Sequence, residues 1–371
     1  MKYVDEFRDA RLIRQASEEI RRLADPARRY RIMEVCGGHT HAIYRFGLAD
    51  LLPPNIELIH GPGCPVCVLP MGRTDEALAL IEREQAIFTA FGDVMRVPGR
   101  HGTPLQRRSH GADIRIVYSP LDSLKIARDH PDRHVVFFAI GFETTAPSTA
   151  LTVRRARAIG VGNFSVFSNH VTIVPAIRAI LDSPDMRLDA FIGPGHVSTV
   201  IGARPYLFIA RDHGKPVVIS GFEPLDLLQS IVLILRQIRD GRAEIENQYR
   251  RAVPWEGNRP ALRALAEVFE LRPHFEWRGL GFISQSALKL RREYAAWDAE
   301  ARFATAGVHV ADPKAAQCGE VLKGVLKPHH CKLFGRECTP EQPVGALMVS
   351  SEGACAAYFN YVHRRTAGAT V

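Results

Sequence analysis

Cysteine is scarce in this chain of 371 residues, and none occurs between Cys67 and Cys318. Seven is an odd number, too few and too unevenly placed for the disulfide framework of a secreted protein. Long apolar runs are missing as well. Val135-Val136-Phe137-Phe138-Ala139-Ile140 is strand-length, and the stretch 225–235 is broken by Asp226, Gln229 and Ser230. A bilayer span needs about 20 apolar residues, so no membrane segment is expected. The opening MKYVDEFRDARLIRQASEEI is charged from its second residue and reads as no signal peptide, which points to the cytoplasm. The formal charge of +8 is spread over scattered arginines whose tightest groups are pairs such as Arg107-Arg108 and Arg291-Arg292. With no aromatic-interleaved basic stripe, nucleic-acid binding is not expected, and an acidic protein partner fits the charge equally well. Also lacking are a GxxxxGK[ST] phosphate loop, a GxSxG elbow, a GxGxxG after a strand and a CxxxCxxC radical signature.

Apolar residues make up 46% of the chain and charged residues 24%, a mix that allows several packed domains rather than disorder. Residues 7–23 place Leu12, Ile13, Ala16, Ile20 and Leu23 on one helical face, and Asp25-Pro26 ends that helix. From about residue 30 to 240, β-rich runs lead repeatedly into glycine-bearing loops and then helices. These loops are Cys36-Gly37-Gly38, Gly61-Pro62-Gly63, Gly141-Phe142-Glu143-Thr144-Thr145, Gly193-Pro194-Gly195-His196 and Gly221-Phe222-Glu223-Pro224. Alternating strands and helices imply parallel sheets, with ligands beyond the carboxyl ends of the strands. GPGCPVC echoes GPGHVST, and GFETT echoes GFEPL, which suggests a duplicated unit.

The expected fold class is therefore α/β, with two similar parallel-sheet domains facing across a cleft and a mostly helical C-terminal domain. The boundaries read as 1–29 for an N-terminal helix packing on the C-terminal domain, 30–120 and 121–240 for the two α/β domains, and 241–371 for the cysteine-bearing domain.

The C-terminal cysteines read C-x12-C-x6-C-x16-C, at Cys318, Cys331, Cys338 and Cys355. Four thiolates suit tetrahedral zinc or a cubane iron–sulfur cluster. Zinc sites usually draw ligands in tight CxxC pairs, so this open spacing favours a [4Fe–4S] cluster. His329 and His330 read as neighbours of that site rather than ligands. The N-terminal group differs. Cys64-Pro65-Val66-Cys67 is a CxxC expected at a helix start, where thiolates are stabilised and a dithiol can cycle or hold a soft metal. Cys36-Gly37-Gly38-His39-Thr40-His41 sets a thiol and two imidazoles within six residues, donors suited to iron, zinc or copper. Glu143 is a candidate for handling a proton, and His196 and His170 are either site residues or structural histidines. Thr144 reads equally as a helix cap, and Asp93 with Arg96 as an ordinary turn.

Together these motifs resemble the HypD family of [NiFe]-hydrogenase maturation factors. The resemblance runs essentially end to end, through CGGHTH at Cys36, GPGCPVC at Gly61, FGDVMRVPG at Phe91, GFETTAP at Gly141, GPGHVS at Gly193 and SEGAC at Ser351. It implies an assembly scaffold rather than a conventional enzyme. A small HypC-type chaperone and a HypE-type cyanide donor would be its partners, and an Fe(CN)2CO unit would pass to the hydrogenase large subunit. It further implies Cys36 as the iron ligand, with His39 beside it and a cysteine of the chaperone sharing the metal. Cys64 and Cys67 would be a redox pair, and the last four cysteines would hold the [4Fe–4S] cluster and supply electrons through that pair. Read from residues alone, an iron–sulfur-dependent thiol oxidoreductase competes with this, as does a zinc-stabilised interaction protein.

Overall fold

Residues 4–363, apart from Asp185, Ala306, Val308, Asp312 and Lys314, are described by a computed structural model. Residues 1–3 and 364–371, the ends of two expected segments, lie outside them. The β-rich runs pair as parallel strands in two sheets. β1 (Tyr30–Glu34), β2 (Ile56–His60), β3 (Ile87–Ala90), β4 (Ile114–Ile116), β5 (Val135–Gly141), β6 (Phe164–His170), β7 (Ala190–Gly193), β8 (Val217–Ile219) and β9 (Ile245–Asn247) follow in chain order. One sheet has the order β2-β1-β7-β8-β9 and the other β4-β3-β5-β6. Every residue of β5 and β6 is buried, as a parallel strand covered on both faces requires.

The expected α/β architecture with two parallel sheets is present, but the strands are not divided as 30–120 and 121–240. The chain starts the first sheet with β1 and β2, crosses to build all of the second, then returns with β7 to β9. Ile32 thus pairs with Leu58 on one side and Ala190 on the other. Both GPG loops crown the same sheet, whereas GFETT follows β5 and GFEPL follows β8, so the echoes do not mark two sequential copies. Each strand–loop–helix unit looks alike locally. Which sheet it joins is decided by long-range packing that periodicity does not carry.

The N-terminal helix forms at Ala10–Leu23, where Asp9 caps the backbone N–H groups of Arg11 and Leu12. Its apolar face packs on the helix Pro224–Arg239 of the first sheet, not on the cysteine-bearing segment as expected. Arg8 pairs with Glu223 there, and Arg236 with Glu19. Beyond β9, antiparallel ribbons join Phe269–Leu271 to Leu288–Leu290 and His274–Trp277 to Gly281–Ser284, so residues 241–290 are not purely helical. The cysteine-bearing stretch consists of short helices, including Cys318–Leu322 and Ala354–Tyr358. One apolar core joins both sheets to this stretch, from Met33 and Phe138 to Leu347 and Met348. Among the described residues, no helix is long and apolar enough to cross a membrane.

Candidate functional site

The carboxyl ends of both sheets face each other across a cavity of about 250 Å³. Cys36 follows β1, Gly63 and Pro65 follow β2, and His196 follows β7; from the other sheet come Asp93 after β3 and Thr144 after β5, while Glu352 arrives from the cysteine-bearing segment.

Cys36 is the N-cap of the helix Gly37–Arg45. Its Sγ lies 3.7 Å from His196 Nδ1, and the backbone N–H groups of Gly38 and His196 point toward it. Burial, then the nearby Glu352 and Glu34 charges, push the thiol up to about 12. Burial holds His196 down at about 4, so at neutral pH the two are a thiol and a neutral imidazole. A cation arriving at the sulfur reverses that preference by favouring thiolate. Gly63 is indispensable to this loop: a side chain there would come within 2.5 Å of the Cys36 backbone.

The two histidines of CGGHTH part company. His39 is fully buried, its Nε2–H donating to the Ser220 carbonyl at 3.1 Å. Burial lowers its pKa, and its ring packs 4.8 Å from Phe222. Phe222 also stacks on His196 at 3.8 Å, holding both imidazoles in place. His41 turns to the cysteine-bearing segment, donating from Nδ1 to the Ser351 carbonyl at 3.3 Å. Besides Glu352, two participants escaped the sequence reading. One is Phe222, noted there only as part of an echo. The other is Glu34, which is fully buried and accepts from the Cys36 N–H at 2.9 Å, from Thr40 Oγ1 and from His60 Nδ1 at 2.7 Å. A lone carboxylate between the apolar Ile32-Met33 and Val35 was its available signal.

Cys64 and Cys67 are joined in a disulfide with Cα atoms 5.2 Å apart. Cys67 sits on the short turn Val66–Val68 and Cys64 just before it, not at the expected helix start, because Pro70 delays the following helix to Met71–Arg83. Both are buried, and neither lines the cavity. A side chain at Gly353 would meet Cys67 Sγ at 2.9 Å, so the pair abuts the loop that leads to Cys355.

Glu143 belongs behind the cavity wall, not in it. Its Oε1 accepts from the Ile173 N–H at 3.1 Å, capping the helix Ile173–Leu181, and burial raises it from 4.5 to about 7. A raised native value makes this carboxyl stabilising only while protonated. Its contribution is full below about pH 4.5 and is lost as pH climbs through 7. Denaturant titrations at pH 5 and pH 8 should therefore show Glu143→Gln abolishing a pH-linked loss of about 2.5 kcal/mol. An unchanged slope would place the linkage elsewhere. Thr145, not Thr144, takes the cap position of the helix Ala146–Ala158, leaving Thr144 on the cavity. His170 is fully buried against Thr149 Oγ1 at 2.9 Å, a structural role. Arg96 donates to the Val349 carbonyl at 3.0 Å.

Cys318, Cys331, Cys338 and Cys355 converge on one small apolar cavity of about 20 Å³ beside Phe334 and Leu347. Burial and then the charges of Cys318, Cys338 and Cys331 drive the Cys355 thiol well above its usual range. Four converging thiols, with Cys338 and Cys355 buried and Cys318 and Cys331 partly so, fit a polynuclear group whose positive iron takes thiolates, and these four would hold it. Among the described residues, no group of three or more His, Cys, Asp or Glu side chains has the arrangement of a single-ion site. Cys338→Ala should bleach the visible absorbance of anaerobically purified protein, and unaltered absorbance would remove Cys338 from the ligand set.

Fold and site together define an α/β thiol protein with one cysteine at an interdomain cleft and four more gathered at a second centre. The model of the family described as "HypD: Hydrogenase formation hypA family" matches residues 11–362. The hydrogenase maturation factor HypD of Rhodobacter capsulatus is 57% identical, over 99% of this chain and 100% of its own. Those of Rhizobium leguminosarum bv. viciae and Escherichia coli K12 are 56% and 53% identical, each over 97% of this chain and 96% and 98% of their own. This chain belongs to the HypD family of hydrogenase maturation factors.

Proposed function

We propose that the chain holds a ferrous ion as cargo at Cys36 while cyanide and carbon monoxide are attached. The Fe(CN)2CO unit then passes toward the large subunit of a [NiFe] hydrogenase. The observation that carries this reading is the Cys36 thiol, 3.7 Å from a neutral imidazole and opening on a cavity walled by both sheets. Thiolate and imidazole suit ferrous iron, and the cavity leaves room for diatomic ligands and for a cysteine from a HypC-type chaperone. A HypE-type donor would bring cyanide bound to sulfur.

Releasing cyanide from sulfur takes two electrons, which a dithiol provides as it closes to a disulfide. Cys64 and Cys67 are suited to that task. Reopening them needs two electrons and two protons. The last four cysteines are proposed to hold a [4Fe–4S] cluster, which when bound supplies electrons singly. The Val349–Gly353 loop, touching Cys67 and leading to Cys355, offers the through-protein path. A cytoplasmic location fits such oxygen-sensitive work.

The test is anaerobic purification with the chaperone, followed by infrared spectroscopy of the CN and CO region and iron and sulfide counts. Bands with more iron than one cubane requires support the scaffold. A cluster without bands, chaperone present, would favour the thiol oxidoreductase.

A further inference from the structure

Carboxylates surround Cys36 on several sides, and Asp93 among them is held by the Val94 N–H with Arg96 nearby. Glu34 beneath the loop is satisfied by Thr40, His60 and the Cys36 N–H. Glu352 leans over Gly37 from above: a side chain on Gly37 would meet Glu352 Cβ at 2.5 Å and Oε2 at 2.7 Å. Asp93 lines the cavity from the opposite sheet. Among the described residues, no lysine or arginine lines it. Glu352 and Asp93 are close enough to perturb one another, and Glu352 acts directly on the Cys36 thiol. The loop bearing Glu352 is fastened by His41 at Ser351 and by Arg96 at Val349, so the carboxylate is held in position rather than waving in solvent.

A negative lining with no cation of its own has a definite effect on a cargo whose charge changes. Bare ferrous iron carries two positive charges. Each cyanide added brings one negative charge and carbon monoxide none, so the Fe(CN)2CO unit is neutral before its thiolates are counted and anionic afterwards. The same carboxylates that attract the incoming ion therefore stop attracting, and then repel, the finished unit, most strongly in a water-poor cleft.

Resting on the scaffold reading above, we propose that Glu352, with Asp93, times the handover: their charge retains bare iron and loosens the hold on it as cyanide ligands accumulate. Glu352 is then a positioning residue for the metal's charge state, and it need not ligate iron to act.

Opposite responses of the two cargo forms provide the test. The full chain with its chaperone is prepared as wild type, Glu352→Gln and Glu352→Asp. Ferrous-ion affinity is measured by anaerobic equilibrium dialysis, and retention of the cyanide-bearing iron is followed as decay of its infrared bands under a chelator. Glu352→Gln should weaken ferrous binding roughly tenfold, within the range of one charge-assisted contact. It should also lengthen retention of the cyanide-bearing form several-fold. Glu352→Asp, which keeps the charge, should stay near wild type in both. If both forms weaken together, or neither responds, Glu352 is a packing group and the inference falls while the scaffold stands. Wild-type protein showing neither extra iron nor bands would remove the scaffold reading itself.

Discussion

Cys36→Ala should purify folded and keep the brown colour of the proposed cluster yet carry no iron beyond it, and its infrared spectrum should be empty across the CN and CO region. The sulfur is the one soft donor opening on the cavity, and its neighbours are a neutral imidazole and carboxylates. Without it, His196 alone is a weak hold on ferrous iron. The structural cost is small, because alanine fits the space of a thiol and the N-cap sulfur makes no side-chain cap hydrogen bond to the helix Gly37–Arg45. Iron counts and acid-labile sulfide on the same sample separate the outcomes. Loss of both centres would make Cys36 structural, and bands that persist would move the iron site elsewhere.

The largest effect on stability is expected away from the cleft, at Arg73. Its guanidinium is buried and donates to Asn169 Oδ1 at 2.6 Å and the Ser168 carbonyl at 3.0 Å, while pairing with Glu300 at 2.7 Å and Glu76 at 3.2 Å. It also lies 4.1 Å from the centre of the Phe167 ring. The arginine thus ties the helix Met71–Arg83, which follows the thiol pair, to β6 and to the segment leading into the four C-terminal cysteines. Arg73→Ala leaves Glu76 with no cation and only the Gly307 N–H, and Glu300 with Arg272 alone. Removing one partner of such a buried network costs about 3–5 kcal/mol. Urea denaturation should show that loss as a lower midpoint with an unchanged slope. A shift below about 1 kcal/mol would mean that water replaces the guanidinium, as at surface pairs.

The strands were legible because parallel strands covered on both faces read as continuous apolar runs, as in 135–140. The cysteine groups were legible because thiols are rare here and their spacing is unusual. The helix at residues 10–23 was legible from its stripe, but not its partner, because an apolar face specifies burial and not against what. The same limit hid the sharing of strands between sheets. Within the cleft, Cys36 and His196 do meet, whereas Glu143 is drawn behind the wall by the N–H of Ile173, a bond that no pattern announces. Glu352 reaches Gly37 from the far end of the chain, and local spacing holds no trace of that approach.

The order in which the strands are made bears on the birth of the protein. β1 finds β2 at once, but its other neighbour, β7, is the partner of Ile32 only at Ala190. At ordinary translation speeds, roughly 5–20 residues per second, the nascent edge of β1 waits on the order of ten seconds or more at the ribosome. Meanwhile the four strands between 87 and 170 have all their mutual partners and form an inserted unit that can settle first. The cleft is consequently a late product of synthesis. Cys36 stays in an unfinished sheet until His196 emerges, so metal reaching the chain early would meet a loose thiol loop rather than a site. On the proposed function, loading would belong to the completed polypeptide.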